Sequence, residues 1–250
     1  MDWLAVVRGS GLQTKKALGQ SFIVHQPTLD AIAEGWDIGR DDEVFEIGTG
    51  PGNLTAALAA RARRVWTVEL DGRWAAVARR TSAAPNAVWI EGDALRLIRQ
   101  VSFGQPMRVV GNLPYSSYHD ILLALLEWPA PVVDIGVTLQ EDVVAKLTET
   151  EPLAVLVRSM YDVKRVMRVP RNRFYPQPRV DSASVRLIPR GLRSPFEARR
   201  LERGLKRLFA SRRKLLRAFD PDAEPIRISE APGDLLLRTA DRLTRSNGGA

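Results

Sequence analysis

Short apolar segments alternate with longer amphipathic segments between residues 27 and 189. The apolar runs predict strands at 43–47, 65–68, 87–91, 107–112, 132–139 and 163–169. The amphipathic or helix-favouring runs predict helices at 27–36, 54–64, 72–82, 117–128, 141–148 and 152–161. Residues 182–188 alternate in strand fashion and should close the sheet as an antiparallel partner. Because strands and helices alternate, we predict an α/β fold, with a doubly wound, mostly parallel, seven-stranded Rossmann-like sheet.

A glycine-rich turn follows the first predicted strand. Gly48, Gly50 and Gly52 allow close approach of the backbone to a ligand, and the helix that follows offers unpaired N–H groups. Glu69 ends the second strand, 21 residues beyond Gly48, where a carboxylate in such folds accepts hydrogen bonds from ribose hydroxyls. A tight turn beside a solvent-facing Glu is the alternative. The even spacing of the glycines also departs from the dinucleotide fingerprint, so a pyrophosphate is less expected.

Polar residues follow two further predicted strands. Asp93 comes just after residues 87–91 and could receive the amino group of an adenine ring, although it is equally suited to cap a helix. Asn112 begins the turn Asn112-Leu113-Pro114-Tyr115, in which carbonyl oxygens could accept both protons of a flat NH2 group and Tyr115 offers a π-face for a base. Since ligands bind at the carboxyl ends of parallel strands, these residues should converge on one site.

Composition excludes several kinds of chemistry. The chain has no cysteine and only two histidines, which excludes disulfides, thiol nucleophiles and Cys-ligated metals and leaves little basis for a His triad or any metal site. We expect no signal peptide, because the N-terminal residues lack a sustained apolar region, and no apolar run approaches the about 20 residues of a membrane span, so a cytoplasmic protein without membrane contact is expected.

The net charge of +8 is concentrated in one segment. Residues 190–217 hold eleven basic residues and two acids, a balance of 11 − 2 = +9, so the other residues sum to −1. Leu201, Leu205 and Leu208 form an apolar helical stripe there, and the cluster Arg212, Arg213 and Lys214 favours contact with phosphates over an ordinary solvated helix face. We therefore predict a domain at 1–189, with an N-terminal arm at 1–26, and a small basic helical RNA-binding domain at 190–250.

Six stretches in order resemble the ribosomal RNA adenine N6-dimethyltransferases. They are residues 19–23, 46–55, 68–71, 92–94, 112–115 and 174–182, within a resemblance that covers about residues 15–217. Residues 174–182 and 209–216 are more similar to the enzymes of small-subunit assembly than to those of macrolide resistance. Ser21 is a departure, since the family usually has Asn or His there.

The resemblance implies S-adenosylmethionine as methyl donor and ribosomal RNA, within a small-subunit particle, as partner of a monomeric enzyme. It assigns the cofactor to Ser21, Ile23, Gly48, Gly50, Glu69, Asp93 and Asn112. It assigns the target adenine to Asn112, Leu113, Tyr115 and Phe174. Dimethylation of adjacent adenosines is the expected reaction.

Three other functions stay open at this point. The first is methylation of large-subunit rRNA, the macrolide-resistance reaction of the same family. The second is an RNA-binding assembly factor whose methylation is secondary. The third is a nicotinamide oxidoreductase, which the strand, glycine turn and helix alone would allow, but which has no use for the basic segment.

Overall fold

The structure, a computed structural model, describes residues 1–15, 18–100, 103–191 and 195–245. Lys16 and Ala17, which belong to the predicted arm, lie outside the described residues. The helices are α1 (Trp3–Gly9), α2 (Gln26–Gly35), α3 (Asn53–Ala59), α4 (Gly72–Thr81), α5 (Ala94–Gln100), α6 (Tyr118–Leu126), α7 (Glu141–Lys146), α8 (Pro152–Met160), α9 (Pro195–Phe209) and α10 (Gly233–Arg245).

Seven strands form the main sheet. They are β2 (Glu43–Ile47), β3 (Arg64–Glu69), β4 (Ala87–Glu91), β5 (Met107–Asn112), β6 (Val132–Gln140), β7 (Tyr161–Val169) and β9 (Ser182–Pro189), in the order β4-β3-β2-β5-β6-β9-β7. The pairs β2–β3, β3–β4, β2–β5 and β5–β6 are parallel, and β6–β9 is antiparallel. The predicted doubly wound, mostly parallel sheet of seven strands is therefore confirmed.

The order in which successive strands are added to the sheet reverses between β4 and β5. The strands β2, β3 and β4 step outward in one direction, and β5 then pairs with the other edge of β2. A crevice forms at such a switch point, outside the carboxyl ends of the central strands. The turns that follow β2 to β5 are therefore placed side by side.

The N-terminal arm is more structured than its sequence indicated. It begins with α1, in which Trp3 is buried and donates its indole N–H to Gln26 Oε1 at 2.7 Å. The short strand β1 (Phe22–Ile23) then pairs in antiparallel register with β8 (Phe174–Tyr175). This pairing joins segments about 150 residues apart, and neither segment has the alternation that would predict a strand.

Burial follows the predicted apolar faces. Leu29, Ile32 and Ala33 of α2 are fully buried and pack in one core cluster with Val44 of β2 and Leu58 of α3. The helix predicted at 54–64 is shorter than expected, because α3 ends at Ala59. This packing therefore holds in place β2 and α3, the two elements that flank the glycine-rich turn.

The chain divides into two compact units. The first comprises residues 1–124, 130–141 and 164–188; the second comprises 125–129, 142–163 and the described part of the chain from Pro189. In the second unit α8, α9 and α10 pack together, and Leu201, Leu205 and Leu208 are buried. A functional boundary at residue 190 stays a prediction. Over the described ranges, no helix has the length and apolar character needed to cross a bilayer.

Candidate active site

A cavity of about 290 Å³ opens at the carboxyl ends of the central strands. Its walls come from the turns after β2, β3, β4 and β5, and from arm residues 18–23 on the remaining side. The structure brings seven of the predicted site residues together around it: Ser21, Ile23, Gly48, Gly50, Glu69, Asp93 and Asn112. All of them belong to the first unit.

Gly48 forms part of the cavity wall and leaves room for a ligand. Its φ is +85°, a conformation that L side chains rarely adopt, and a Cβ built on it meets no protein atom within 4 Å. The open space beside this main chain, together with the cavity volume of about 290 Å³ and the polar groups that line it, is compatible with a nucleoside that carries a short side chain. The residues present are therefore compatible with S-adenosylmethionine.

The Glu69 carboxylate is held in place from both sides. Its Oε2 accepts a hydrogen bond from Gly50 N at 2.8 Å, and its Oε1 accepts one from Asp71 N at 2.9 Å. Burial raises the pKa of Glu69 above its ordinary value, although these main-chain donors oppose the effect. Each carboxylate oxygen has a second lone pair. Glu69 is thus an oriented, largely buried acceptor beside the cavity.

Asp71 connects this acceptor to the arm, a link that the sequence did not reveal. Its carboxylate pairs with Arg73 at 2.6 Å and with Lys15 at 3.5 Å, and it accepts a hydrogen bond from Gln20 Nε2 at 3.3 Å. The hydrogen bond from Arg73 is the main reason that the pKa of Asp71 lies well below its ordinary value. Gln20 also receives the indole N–H of Trp74 at 3.3 Å. The sequence signal that could have identified Asp71 was its position directly before a predicted helix, where it acts as the N-cap.

Asp93 is placed for both of the roles that its sequence context allowed, a contact to a ligand and a cap for the following helix. It lines the cavity, and its Oδ1 accepts a hydrogen bond from Leu95 N at 2.9 Å at the start of α5. The side chain is exposed, so its other oxygen can reach a polar ligand group.

Asn112 ends β5 and lines the cavity. Its Nδ2 donates to the main-chain oxygen of Ser21 at 2.9 Å, which fixes the plane of the amide. Within the described part of the chain, Oδ1 accepts no hydrogen bond from the protein. The side-chain carbonyl is therefore available to a donor on a ligand.

The three other residues assigned to the target base do not line the cavity. Leu113 is 1% exposed and its N–H bonds to Thr138 O at 3.2 Å. Tyr115 is part of the turn after Asn112, and its hydroxyl lies 3.0 Å from Ser182 Oγ. Phe174 is 4% exposed and packs in the core cluster. Their roles toward the base stay predictions, and Phe174 could stack on a base only if its face became exposed.

Glu46 is a buried acid below the glycine-rich turn, and sequence reasoning gave it no role. Its Oε2 accepts hydrogen bonds from Thr55 Oγ1 and Thr67 Oγ1, both at 2.6 Å, while Oε1 has no partner among the described residues. Burial dominates and raises the pKa of Glu46 to about 8. The Thr67 hydroxyl also meets Thr49 Oγ1 at 2.5 Å. The sequence signal that could have identified Glu46 was the presence of an acidic residue within an otherwise apolar predicted strand.

The predicted phosphate-contacting residues lie in the second unit and differ in surroundings. Arg212 pairs with Glu151 at 3.6 Å. Arg213 and Lys214 line a shallow concavity together with Arg217, and in the described ranges none of these three has an acidic partner within 4 Å. Arg217 was not among the predicted residues, although it lies in the same basic segment.

Comparison with known proteins matches this geometry to one family. Residues 11–220 match the family described as ribosomal RNA adenine dimethylase. A relative from Bordetella avium, named ribosomal RNA small subunit methyltransferase A, is 38% identical over 215 residues, which cover 82% of this chain and 81% of the relative.

Two solved structures share the fold. The 23S rRNA methyltransferase ErmE has a TM-score of 0.67 at 26% identity, over 89% of this chain and 99% of that one. A dimethyladenosine transferase from Plasmodium falciparum also has a TM-score of 0.67, at 28% identity, over 78% of this chain and 72% of that one. The length of the family match and the close bacterial relative agree with the convergence of the site residues. The chain belongs to the ribosomal RNA adenine dimethylase family.

Proposed function

We propose that this protein transfers methyl groups from S-adenosylmethionine to N6 of adenosines in small-subunit ribosomal RNA, and dimethylates adjacent adenosines during ribosome assembly. One observation carries the proposal: Asn112, whose amide is oriented by Ser21 and whose carbonyl accepts no hydrogen bond from the described residues, lines a cavity compatible with a nucleoside. Family membership and the name of the Bordetella avium relative support the same choice.

The chain's own residues would hold the cofactor through its polar groups. Glu69 accepts hydrogen bonds from the ribose hydroxyls, because its carboxylate is already oriented by Gly50 N and Asp71 N. Asp93 receives the amino group of the adenine ring. Gly48 and Gly50 provide close main-chain approach, and the arm, with Ser21 and Ile23, covers the opposite side. Bound S-adenosylmethionine would supply an electrophilic methyl group carried by a positively charged sulfur.

Asn112 orients the nucleophile. The N6 amine is weakly nucleophilic because its lone pair is delocalised into the ring. A hydrogen bond from N6 to Asn112 Oδ1, with a second to the Leu113 carbonyl, favours the pyramidal geometry in which the lone pair is directed at the methyl group. The methylated amine is acidic enough to release its proton to water. The rate enhancement therefore comes from orientation and electrostatic placement.

The base and its RNA are held outside the cavity. The target adenine leaves its stack and is flanked by Tyr115 and, once the ring of Phe174 has moved out of the core, by Phe174; each can contribute ~1–3 kcal/mol through stacking. Arg213 and Lys214, with Arg212, neutralise backbone phosphates. The substrate is a ribosomal particle, so we place the monomeric enzyme in the cytoplasm.

Methylation of large-subunit RNA is the second candidate. The structural likeness to the 23S rRNA methyltransferase ErmE favours it, since the TM-score equals that of the dimethyladenosine transferase. The identity to that structure is 26%, below the 38% to the small-subunit relative. We therefore keep small-subunit RNA as the proposed substrate.

The deciding experiment offers purified protein and radiolabelled S-adenosylmethionine to small and large ribosomal subunits isolated from cells that lack this gene. We expect label in small-subunit RNA only, and mass spectrometry of its digested RNA should show N6,N6-dimethyladenosine. Label confined to the large subunit would support the second candidate. RNA binding without transfer to either subunit would support an assembly factor and contradict an enzymatic role.

A further inference from the structure

Ser21 occupies the junction between the cavity and the acceptor segments. Its main-chain oxygen receives the Asn112 amide at 2.9 Å, and its hydroxyl donates to the Pro176 main-chain oxygen at 2.9 Å. Pro176 follows directly after β8, which pairs with β1 one residue beyond Ser21. One residue thus contacts both the Asn112 turn and the segment that carries Phe174.

The surrounding arm lies close against that turn. A Cβ placed on Gly19, whose φ is +62°, would lie 3.1 Å from both Pro114 Cβ and Tyr115 N. On the other side, Asn53 Nδ2 donates to Ile23 O. The arm is therefore held between the glycine-rich turn of the cavity and the Asn112 turn.

The hydroxyl of Ser21 is committed to the protein. A serine side chain has one hydrogen to donate, and here it is directed to Pro176 O. The short side chain of Ser21 is therefore bonded to the segment that carries Phe174.

We propose that Ser21 is a positioning residue for methyl transfer, acting through its hydroxyl on the 174–178 segment and through its carbonyl on Asn112. The inference rests on the proposed function, because Asn112 must present Oδ1 to the target amine. With Nδ2 held by the Ser21 carbonyl, the plane of the amide is defined, and Oδ1 has no hydrogen-bond donor among the described residues. The hydroxyl bond to Pro176 fixes where that carbonyl stands.

The expected consequence concerns turnover more than cofactor affinity. Small displacements of an orienting group reduce reaction rates steeply, since reacting atoms must approach in a narrow range of geometries. Loss of one hydrogen bond that sets this placement should lower kcat by about 10-fold. The cofactor contacts of Gly48, Glu69 and Asp93 do not depend on the hydroxyl, so S-adenosylmethionine affinity should change less than about twofold.

Three variants test the inference. Ser21→Ala removes the hydroxyl, and Ser21→Thr keeps it with one added methyl group. Ser10→Ala is the matched control, because Ser10 Oγ also donates to a main-chain oxygen, that of Val7 at 2.7 Å, at the end of α1. For each, kcat on small subunits and the Kd for S-adenosylmethionine by calorimetry are measured.

We expect Ser21→Ala to lose about 10-fold in kcat at unchanged Kd, Ser21→Thr to return within about twofold of wild type, and Ser10→Ala to match wild type in both. A large rise in Kd with kcat retained in Ser21→Ala would make the hydroxyl a cofactor ligand and overturn the inference. Unchanged kcat and Kd would overturn it as well.

Assays of the wild-type protein distinguish failure of the Ser21 inference from failure of the proposed function. If wild type methylates only large subunits, the substrate assignment fails, and the kcat ratios are measured on that substrate. If wild type methylates neither subunit, the Asn112 side-chain amide resonances decide. A changed amide signal in Ser21→Ala, restored in Ser21→Thr, supports the positioning role, and an unchanged signal contradicts it.

Discussion

Asn112 Nδ2 lies 2.9 Å from the main-chain oxygen of Ser21, and this single hydrogen bond joins β5 to the N-terminal arm across 91 positions of the chain. The bond distinguishes the two ends of the amide, since the nitrogen faces the arm and Oδ1 is left for a ligand. An acceptor oriented in this way, before any substrate binds, can favour the transition state without reorganising. The relationship makes Asn112 the first residue to test.

Replacement of Asn112 by Ala should reduce kcat for methyl transfer by about 10²- to 10³-fold, the range found when one oriented polar contact to the reacting group is removed. RNA affinity should stay within about twofold, because phosphate contacts supply most of it. Single-turnover methylation and filter binding on the same protein measure the two quantities.

The exposed residue Asn172 offers a control for this change. Asn172→Ala makes the same chemical alteration in solvent and should leave both quantities at the wild-type value. Full activity in Asn112→Ala would remove Asn112 from the mechanism.

Much of the site was predictable because its residues lie at element ends. Glu69 and Asn112 each end an apolar strand, Asp93 lies two residues after the end of another, and parallel strands bring such ends to one edge. The strand β1 and its pairing with β8 were not predictable, because a two-residue strand has no periodicity and its partner is distant in sequence. Helix α1 was missed since it is short and precedes the family motifs.

The hydrogen bonds between loops could not be predicted either. The hydrogen bonds of Gln20 to Asp71 and of Ser21 to Pro176 depend on where loops come together in space, and residue types alone do not specify this. The position of the Phe174 ring was also not predictable from residue types alone. Its motif predicts an aromatic over the site, while packing around β1 and β8 places the ring in the core.

Cofactor binding should weaken in mildly acidic solution through Glu69. Burial raises the pKa of this carboxyl above its ordinary value, so falling pH protonates it earlier than an exposed Glu. Protonation removes acceptor capacity toward the ribose hydroxyls and lowers affinity. Calorimetric Kd values for S-adenosylmethionine, measured from pH 8 down through mildly acidic pH, should rise for wild type.

Glu69→Gln separates this effect from general acid sensitivity. The variant should bind more weakly at neutral pH, by roughly 10-fold for one charged hydrogen bond, and its Kd should be nearly independent of pH over the same interval. A parallel rise of Kd in wild type and variant would assign the pH dependence to another group.

The stacking role of Tyr115 can be separated from its hydroxyl bond. Tyr115→Phe keeps the π-face and loses the contact with Ser182 Oγ, so it should cost about 1 kcal/mol of unfolding free energy and little activity. Tyr115→Ala also loses the face, and kcat/KM for RNA should fall by about 5- to 150-fold. Equal kcat/KM values in the two variants would contradict stacking.

The buried acid Glu46 should make the protein less stable as pH rises. Its pKa is about 8 in the folded state and near 4.5 when unfolded, so the folded state holds the extra proton between these values. The unfolding free energy therefore falls with increasing pH across this window, by roughly 3–5 kcal/mol from this group. Urea unfolding of wild type and Glu46→Gln, at several pH values, measures the difference.

The variant should lose most of this slope, because Gln cannot ionise. Glu34→Gln makes the same change on an exposed face of α2 and is the matched control. If Glu46→Gln kept the full wild-type slope from pH 4.5 to 8, the buried carboxyl would not be the group that titrates.

The basic residues of the second unit should contribute unequally to RNA binding. Arg213 and Lys214 line the open concavity, whereas Arg212 faces Glu151 at 3.6 Å. Each lost phosphate contact lowers the slope of log K against log salt by about 0.7–0.9. The double variant Arg213→Gln/Lys214→Gln should therefore flatten the slope by about 1.5, and Arg212→Gln should flatten it by less than the about 0.7–0.9 of one full contact.

Arg238→Gln, at an exposed arginine paired with Asp234, is the control. Filter binding of small-subunit RNA from 50 to 200 mM salt, about the range in which such contacts dominate, gives the slopes. An unchanged slope in the double variant would place the RNA elsewhere on the protein.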